Sequence, residues 1–229
     1  MNLQKKIKEV RSSIVGIGFF PGPNQVSILG TGFCVSDDGK IITAAHLLQN
    51  LTAEQISGLM ANVIIEQREN GIERYQWIPI TLINKNDRND LAYFQLGDEY
   101  KKTLLKKLEL EDSNKAEVGQ DVYFIGFPYA AQLMNDGFGI TLVVNKGMIS
   151  NIKIDGTDPE LKRNWLIVDA ISNPGNSGCP LIDLETNKVI GVMTISFRTA
   201  SQKVKDLDIR EPMHIAGAKP ANLIRELTK

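Results

Sequence analysis

Ser177 stands in the run Asn-Pro-Gly-Asn-Ser-Gly-Cys-Pro-Leu-Ile, positions 173–182, as a single hydroxyl among Pro174, Gly175, Gly178 and Pro180. Glycine opens backbone angles closed to other residues and proline fixes its own φ, so the run is expected to hold one strained shape. Such a shape turns consecutive main-chain N–H groups into the small space beside the hydroxyl, which is minimal equipment for acyl transfer. A serine nucleophile needs a base, and histidine, whose pKa lies near working pH, is the natural one. The chain has two histidines, His46 and His214. His46 closes Thr43-Ala44-Ala45-His46 after the apolar stretch 39–42, and its small neighbours leave room for other segments near the ring. A histidine at a strand end is more often structural, and a structural role is expected for His214. Asp90 heads the apolar run Leu91-Ala92-Tyr93-Phe94, where a partly buried carboxylate needs a partner. The plainer reading is a turn-ending aspartate. Asp87, among polar neighbours, reads as a solvated turn.

The elements that must position these residues are short. Nineteen glycines and nine prolines are spread through 229 residues, between segments of alternating or solidly apolar character. The pattern predicts an all-β protein of many short strands. Expected strands are Ser13–Phe19, Gln25–Ser36, Lys40–Thr43, Asn62–Glu66, Trp77–Asn84 and Asp90–Gln95. A second set is Asp121–Phe127, Ile140–Asn151, Trp165–Asp169, Cys179–Asp183, Val189–Phe197 and Met213–Ala218. Asp38-Gly39 predicts a hairpin turn, and the stretch from Asp183 to Val189 a second one. Helices are predicted at Leu3–Arg11, at Thr52–Leu59 behind a threonine cap, and at Pro220–Leu227 with proline in the first position. The Lys-rich stretch Tyr100–Glu111 reads as a solvated connection and places a lobe boundary between residues 1–112 and 113–229.

The composition excludes several functions. A formal net charge of −1 leaves no electrostatic footprint for nucleic acid. No apolar run approaches the roughly 20 residues that span a bilayer. The charged N-terminus lacks the apolar core of a secretory signal, so a cytoplasmic protein is expected. Cys34 and Cys179 do not form a disulfide framework and read as buried thiols, with a single bridge between them left open. No Cys/His cluster has zinc spacing, so neither a metal nor another cofactor is expected.

The order His46, Asp90, Ser177 separates folds that build the same triad, and it is the chymotrypsin order. A lipase-type elbow leads from its serine into a helix, whereas here Cys179-Pro180 leads into the apolar Leu181-Ile182. The segments Thr31-Gly32-Phe33, Thr43–His46, Asn89–Ala92 and Asn173–Gly178 resemble the trypsin-like serine proteases, most closely the HtrA/Deg branch. The likeness continues through Val118–Gln120, Ile125–Pro128, Lys146–Ser150 and Asp169–Ile171 to Ala218-Lys219-Pro220, so it spans nearly the whole chain. It implies two six-stranded antiparallel β-barrels with the triad in the cleft between them. It also implies a serine endopeptidase in which Ser177 attacks, His46 carries the proton, Asp90 orients the ring, and the N–H groups of Gly175 and Ser177 bind the oxyanion. The alternative is a protease-like domain that binds peptides without cutting them. Thiol catalysis through Cys179 and His46 ranks below both.

The departures from that family carry expectations of their own. Many members have a second glycine where Cys179 stands. Asn176 cannot supply the charge that pairs with a new N-terminus in digestive zymogens, so Ile14–Ile17 reads as a first strand rather than an activation site. The family places the base of the S1 pocket six residues before the serine, at Ile171, with Thr194, Ile195, Ser196 and the strand Met213–Gly217 as walls. No charged residue sits at that base, which predicts cleavage after small-to-medium apolar residues of a polypeptide. A PDZ domain usually follows the protease in this branch, and none is expected in a chain ending at Lys229. The segments 97–115, 129–140 and 199–211 are expected to contact substrate or an activating protein partner.

Overall fold

The computed structural model describes residues 2–23, 25–68, 73–153, 164–199, 202–204, 207–209 and 211–228. The first six strands are β1 (Ile14–Gly22), β2 (Gln25–Cys34), β3 (Lys40–Thr43), β4 (Met60–Gln67), β5 (Glu73–Asn86) and β6 (Leu91–Leu96). They close into an antiparallel barrel in the order β1-β2-β3-β6-β5-β4. Next come β7 (Asp121–Gly126), β8 (Val143–Lys153), β9 (Trp165–Val168), β10 (Pro180–Asp183) and β11 (Val189–Arg198). After the small hairpin β12 (Gln202–Val204) and β13 (Leu207–Ile209) comes β14 (Pro212–Pro220), and the second barrel closes as β10-β11-β14-β9-β8-β7. Closure leaves no unpaired sheet edge in either barrel. Among the described residues there are also four short α-helices: α1 (Leu3–Val10), α2 (Ala53–Ser57), α3 (Ala130–Asn135) and α4 (Asn222–Leu227).

Side chains alternate across a strand, and here both faces of the inner strands are buried, which explains the solidly apolar runs. Val15, Ile17, Ile41, Val63 and Phe94 fill the first barrel. Val122, Phe124, Val168, Leu181 and Met193 fill the second. Their chain neighbours Ile14, Ile42, Tyr93, Tyr123 and Ile125 belong to a third cluster that joins the two barrels. At about 25 cal/mol per Å2 of buried apolar surface, that seam is a large stabilising term, and it sets how the barrels face each other. Both chain ends reinforce it. The Lys6 ammonium on α1 donates to the carbonyls of Leu184 and Glu185 beyond β10, and Asn84 on β5 donates to the carbonyl of Leu227 at 3.2 Å.

The structure differs from the sequence expectations in three places. Pro220 ends β14 instead of opening the last helix, because Gly191 to Met193 pair with Ala218 to Pro220 and hold the chain extended up to Ala221. Residues 140–142 stay outside β8, whereas residues 130–135 form α3. The Tyr100–Glu111 connection is not solvated throughout: Leu108 is buried, and its N–H bonds the Cys34 carbonyl at 2.8 Å. As expected, Cys34 and Cys179 are buried free thiols; they lie in separate barrel cores, so the bridge left open between them does not form. Of the segment 199–211, expected as a contact loop, the hairpin β12–β13 is described, and residues 200–201, 205–206 and 210 lie outside the described residues.

One polar side chain in this apolar seam reaches across to the second barrel. Thr31, fully buried on β2, donates its hydroxyl to the Gly175 carbonyl at 2.7 Å and accepts from the Phe127 N–H at 3.0 Å. Its own N–H donates to the Ser177 carbonyl at 2.9 Å, and its carbonyl accepts the Thr43 hydroxyl at 2.6 Å. Three of these four bonds cross between barrels. The isosteric change Thr31→Val strands a buried N–H and a buried carbonyl, at roughly 1–3 kcal/mol each. It is expected to lower the urea midpoint with an unchanged m-value, whereas Thr31→Ser keeps the hydroxyl and most of the stability.

Candidate active site

His46 lies in a single 3-10 turn, Ala45–Leu48, entered directly from β3. Asp90 sits just before β6 with φ +52°, a left-handed conformation that aspartate tolerates better than most residues. From there one residue grips the histidine turn three times. Its carbonyl accepts the Ala45 N–H at 3.2 Å, its Oδ1 accepts the His46 N–H at 2.8 Å, and its Oδ2 meets His46 Nδ1 at 2.8 Å. A carboxylate oxygen offers lone pairs, so Nδ1 carries the hydrogen and Nε2 of the neutral ring is left as the acceptor. Side-chain exposures of 34% for His46 and 23% for Asp90 leave the pair reachable from the cleft.

The Ser177 loop is laid against this pair by two glycines. Gly178 has φ +87°, and a Cβ there would collide with the Thr31 carbonyl and the Thr43 hydroxyl and press on the Ala44 N–H. Gly30 lies against the Leu47 side chain and the Ser177 carbonyl in the same way. The main chain at Ser177 and Gly178 therefore lies against β2 and against Ala44, the residue through which the chain enters the His46 turn. Ser177 itself is half-buried.

Within the loop the main-chain N–H groups divide into two sets. Asn176 donates to the Asn173 carbonyl at 3.0 Å, Gly178 to Met193 at 2.7 Å and Cys179 to Asn176 at 3.0 Å. The N–H groups of Gly175 and Ser177 have no acceptor among the described residues. Gly175, at φ +99°, packs so closely on the Phe127 carbonyl that any side chain would strike it. The carbonyl of Pro174 accepts the Tyr129 N–H at 2.8 Å. Because the 174–175 peptide is trans, its N–H points away from its carbonyl, and fixing one fixes the other.

Around this centre, Ile171 is half-buried and Thr194 buried, and the Ser196 hydroxyl donates to the Ser172 carbonyl at 2.5 Å. That bond ties β11 to the segment after β9 that carries Ile171. Ile195 instead lies over Gly217 and beside Trp165 and is 38% exposed. His214 is exposed on β14. Asn176 is fully buried beside Gly126 and Thr31. Burial drives the Cys179 thiol well above its usual pKa range and the Cys34 thiol up to about 11. Among the described residues no group of acidic, histidine or cysteine side chains is arranged to hold a metal.

Two residues of this site were not singled out by sequence reasoning. Thr31 drew notice only as part of a motif, although a threonine between two glycines inside a strand is a signal that its hydroxyl approaches another backbone. Tyr129 contributes through its N–H, which its residue type does not advertise.

Comparisons with known proteins bear on the family and the fold. The family model of the trypsin-like peptidase domain matches residues 30–192. The serine endoprotease DegS of Haemophilus influenzae is 30% identical over 204 residues, which is 88% of this chain and 52% of that protein. The magnetosome formation protease MamE of Paramagnetospirillum magneticum is 30% identical over 178 residues, 76% of this chain and 21% of that one. The chain thus spans about half or less of these relatives. Among solved structures, the HtrA-type protease AlgW with a decapeptide superposes with a TM-score of 0.68 at 19% identity, covering 99% of this chain and 66% of that one. The chain belongs to the trypsin-like peptidase family.

Proposed function

We propose that this protein is a serine endopeptidase that cuts polypeptides through an acyl-enzyme, with His46, Asp90 and Ser177 as its triad. The observation that carries the reading is the double grip of Asp90 on His46, with Gly178, the neighbour of Ser177, packed against Ala44 at the entry to the same turn. Ser177 Oγ attacks the scissile carbonyl while His46 Nε2 takes its proton. His46 then returns the proton to the departing amine, and a water repeats the sequence to release the acyl group. Asp90 holds the ring in the tautomer that leaves Nε2 free and stabilises the imidazolium. The unspent N–H groups of Gly175 and Ser177 receive the developing oxyanion, an arrangement in which one donor is worth about 100–1,000-fold in rate. Ile171, Thr194 and Ser196 give the pocket for the residue before the cut an uncharged lining, which supports apolar selectivity there. The decapeptide named with AlgW fits a polypeptide substrate. Segment 129–140 is where an activating partner would act, since Tyr129 holds the Pro174 carbonyl.

A fluorophosphonate probe is expected to label Ser177, and Ser177→Ala to abolish both labelling and turnover. Asp90→Asn should lower kcat by about 10^4-fold while the protein stays folded. Folded protein that resists the probe, alone and with a peptide library present, would overturn the assignment.

The two thiols supply a separate test. Only a thiolate is nucleophilic, and raised pKa values keep Cys34 and Cys179 protonated at pH 8. Iodoacetamide should therefore leave native activity intact and alkylate both residues only after unfolding. Inhibition of the folded enzyme would return Cys179 to consideration as the nucleophile.

A further inference from the structure

Phe127 is divided between the barrels. Its main chain follows β7, and its carbonyl lies so close to Gly175 that no Cβ fits between them. Pro128 leads from it to Tyr129, whose N–H holds the Pro174 carbonyl at 2.8 Å. The Phe127 ring, fully buried, lies instead in the first barrel, against Gly16 of β1 and edge-on to Tyr75 of β5, with ring centroids 6.4 Å apart and planes at 69°. Tyr75 is held from its other end. Its hydroxyl donates to Glu73 Oε2 at 2.7 Å, the same oxygen accepts Arg11 Nη2 at 2.9 Å, and Arg11 Nε bonds Oε1. Gln67 donates to Oε1 at 3.0 Å. A guanidinium fork on both oxygens fixes the direction of a carboxylate as well as its charge. Burial pushes the Glu73 pKa up, but the bonds from Arg11, Tyr75 and Gln67 prevail and hold it below the ordinary glutamate range. Arg11 itself opens the short turn between α1 and β1.

A close-packed interior transmits a displacement instead of absorbing it, and an edge-on aromatic pair has a preferred geometry. A shift of the Tyr75 ring therefore moves the Phe127 ring, and the Phe127 main chain is the floor on which Gly175 rests. Resting on the endopeptidase reading above, we propose that Tyr75 is a positioning residue for the oxyanion hole, held in that role by Glu73 and Arg11. The segment ahead of β1 then sets how well the Gly175 N–H is aimed. The bonds from Thr31 and Tyr129 fix the carbonyls on either side of that N–H, while the Phe127 ring fixes the strand end that carries both Phe127 and Tyr129. An error of aim is felt where negative charge develops, in the transition state, and hardly in the bound substrate. It is expressed in kcat and not in KM.

The test compares variants per active site, counted by the end-point of fluorophosphonate labelling, with kcat and KM measured separately on one peptide. Tyr75→Leu removes both hydroxyl and ring and is expected to lower kcat by about 10–100-fold, the scale of a misplacement of about 1 Å, with KM within about twofold. Tyr75→Phe keeps the ring contact and Arg11→Gln removes the charged fork, and each should lower kcat by about three- to tenfold. Both release the same ring, so the double variant should lose no more than the larger single change. A peptide aldehyde, whose adduct with Ser177 places an oxyanion in the hole, should lose affinity in step with kcat, whereas a product peptide should not. Arg74→Gln, at an exposed position between Glu73 and Tyr75, is expected to change neither. If the variants lose only thermal stability or labelled fraction, with kcat per labelled site unmoved in Tyr75→Phe and Arg11→Gln, the cluster is merely structural and the proposal is overturned. Additive losses in the double variant overturn the relay from Arg11. Should Tyr75→Leu fail to fold, the two milder variants decide. Failure of the unaltered protein to label would bring down the endopeptidase reading and this proposal with it, whereas labelled protein with an unmoved kcat loses this proposal alone.

Discussion

The Thr31 hydroxyl makes two bonds that the rest of the site depends on. It gives its proton to the Gly175 carbonyl and accepts from Phe127, so both ends of its hydrogen-bonding capacity are used inside an apolar seam. An unmet polar group in such a place costs more than a met one contributes, so the arrangement is stabilised chiefly by the penalty of breaking it. It also reaches the serine loop from the opposite barrel. The distance between His46 and Ser177 is therefore not left to the apolar contact alone, which is non-directional and tolerates sliding.

From that anchor the loop geometry follows. With the Gly175 carbonyl held by Thr31, the Pro174 carbonyl by Tyr129 and the Ser177 carbonyl by the Thr31 N–H, three acceptors within the stretch 174–177 are held by donors from outside the loop. Trans peptides then leave the orientation of the intervening N–H groups little freedom. The positive φ values at Gly175 and Gly178 are the backbone cost of this route, and the absence of a Cβ is what lets Phe127 and Thr31 come close enough to hold it.

Much of this was legible in the chain because its signals are local. Asp90 ahead of Leu91-Ala92 and His46 after Thr43-Ala44-Ala45 announce strand ends, and the alternation of Val15 and Ile17 with Ile14 and Gly16 shows up as a run apolar on both faces. Thr31 was not legible in the same way, since its partners lie 96 and 144 residues away. Pro220 shows the opposite failure. Its local preference for a helix start is real, but cross-strand pairing with Gly191 supplies tertiary bonds that a first-turn proline cannot match. Cys179 resisted reading because its surroundings are set by the barrel core, where a thiol behaves as a small apolar side chain.

Asn176 distinguishes how this loop is held from the way a charged residue would hold it. An aspartate at a fully buried position must find a cation, and its loop is then shaped only once that cation arrives. A neutral amide carries no such demand. Here Ile14 is the first residue of β1, hydrogen-bonded into the barrel opposite Phe33, and so supplies no free amine. The loop takes its shape instead from neutral hydrogen bonds contributed by Thr31, Tyr129 and Met193. Those donors and acceptors come from β2, from the start of α3 and from β11. Of the three, the strand residues are locked by sheet pairing, while Tyr129 sits at φ +49° on a short helix carried by a loop. In the proposed reading the aim of the Gly175 N–H therefore rests on the Tyr129 end, where a non-glycine residue holds a left-handed backbone outside any strand pairing.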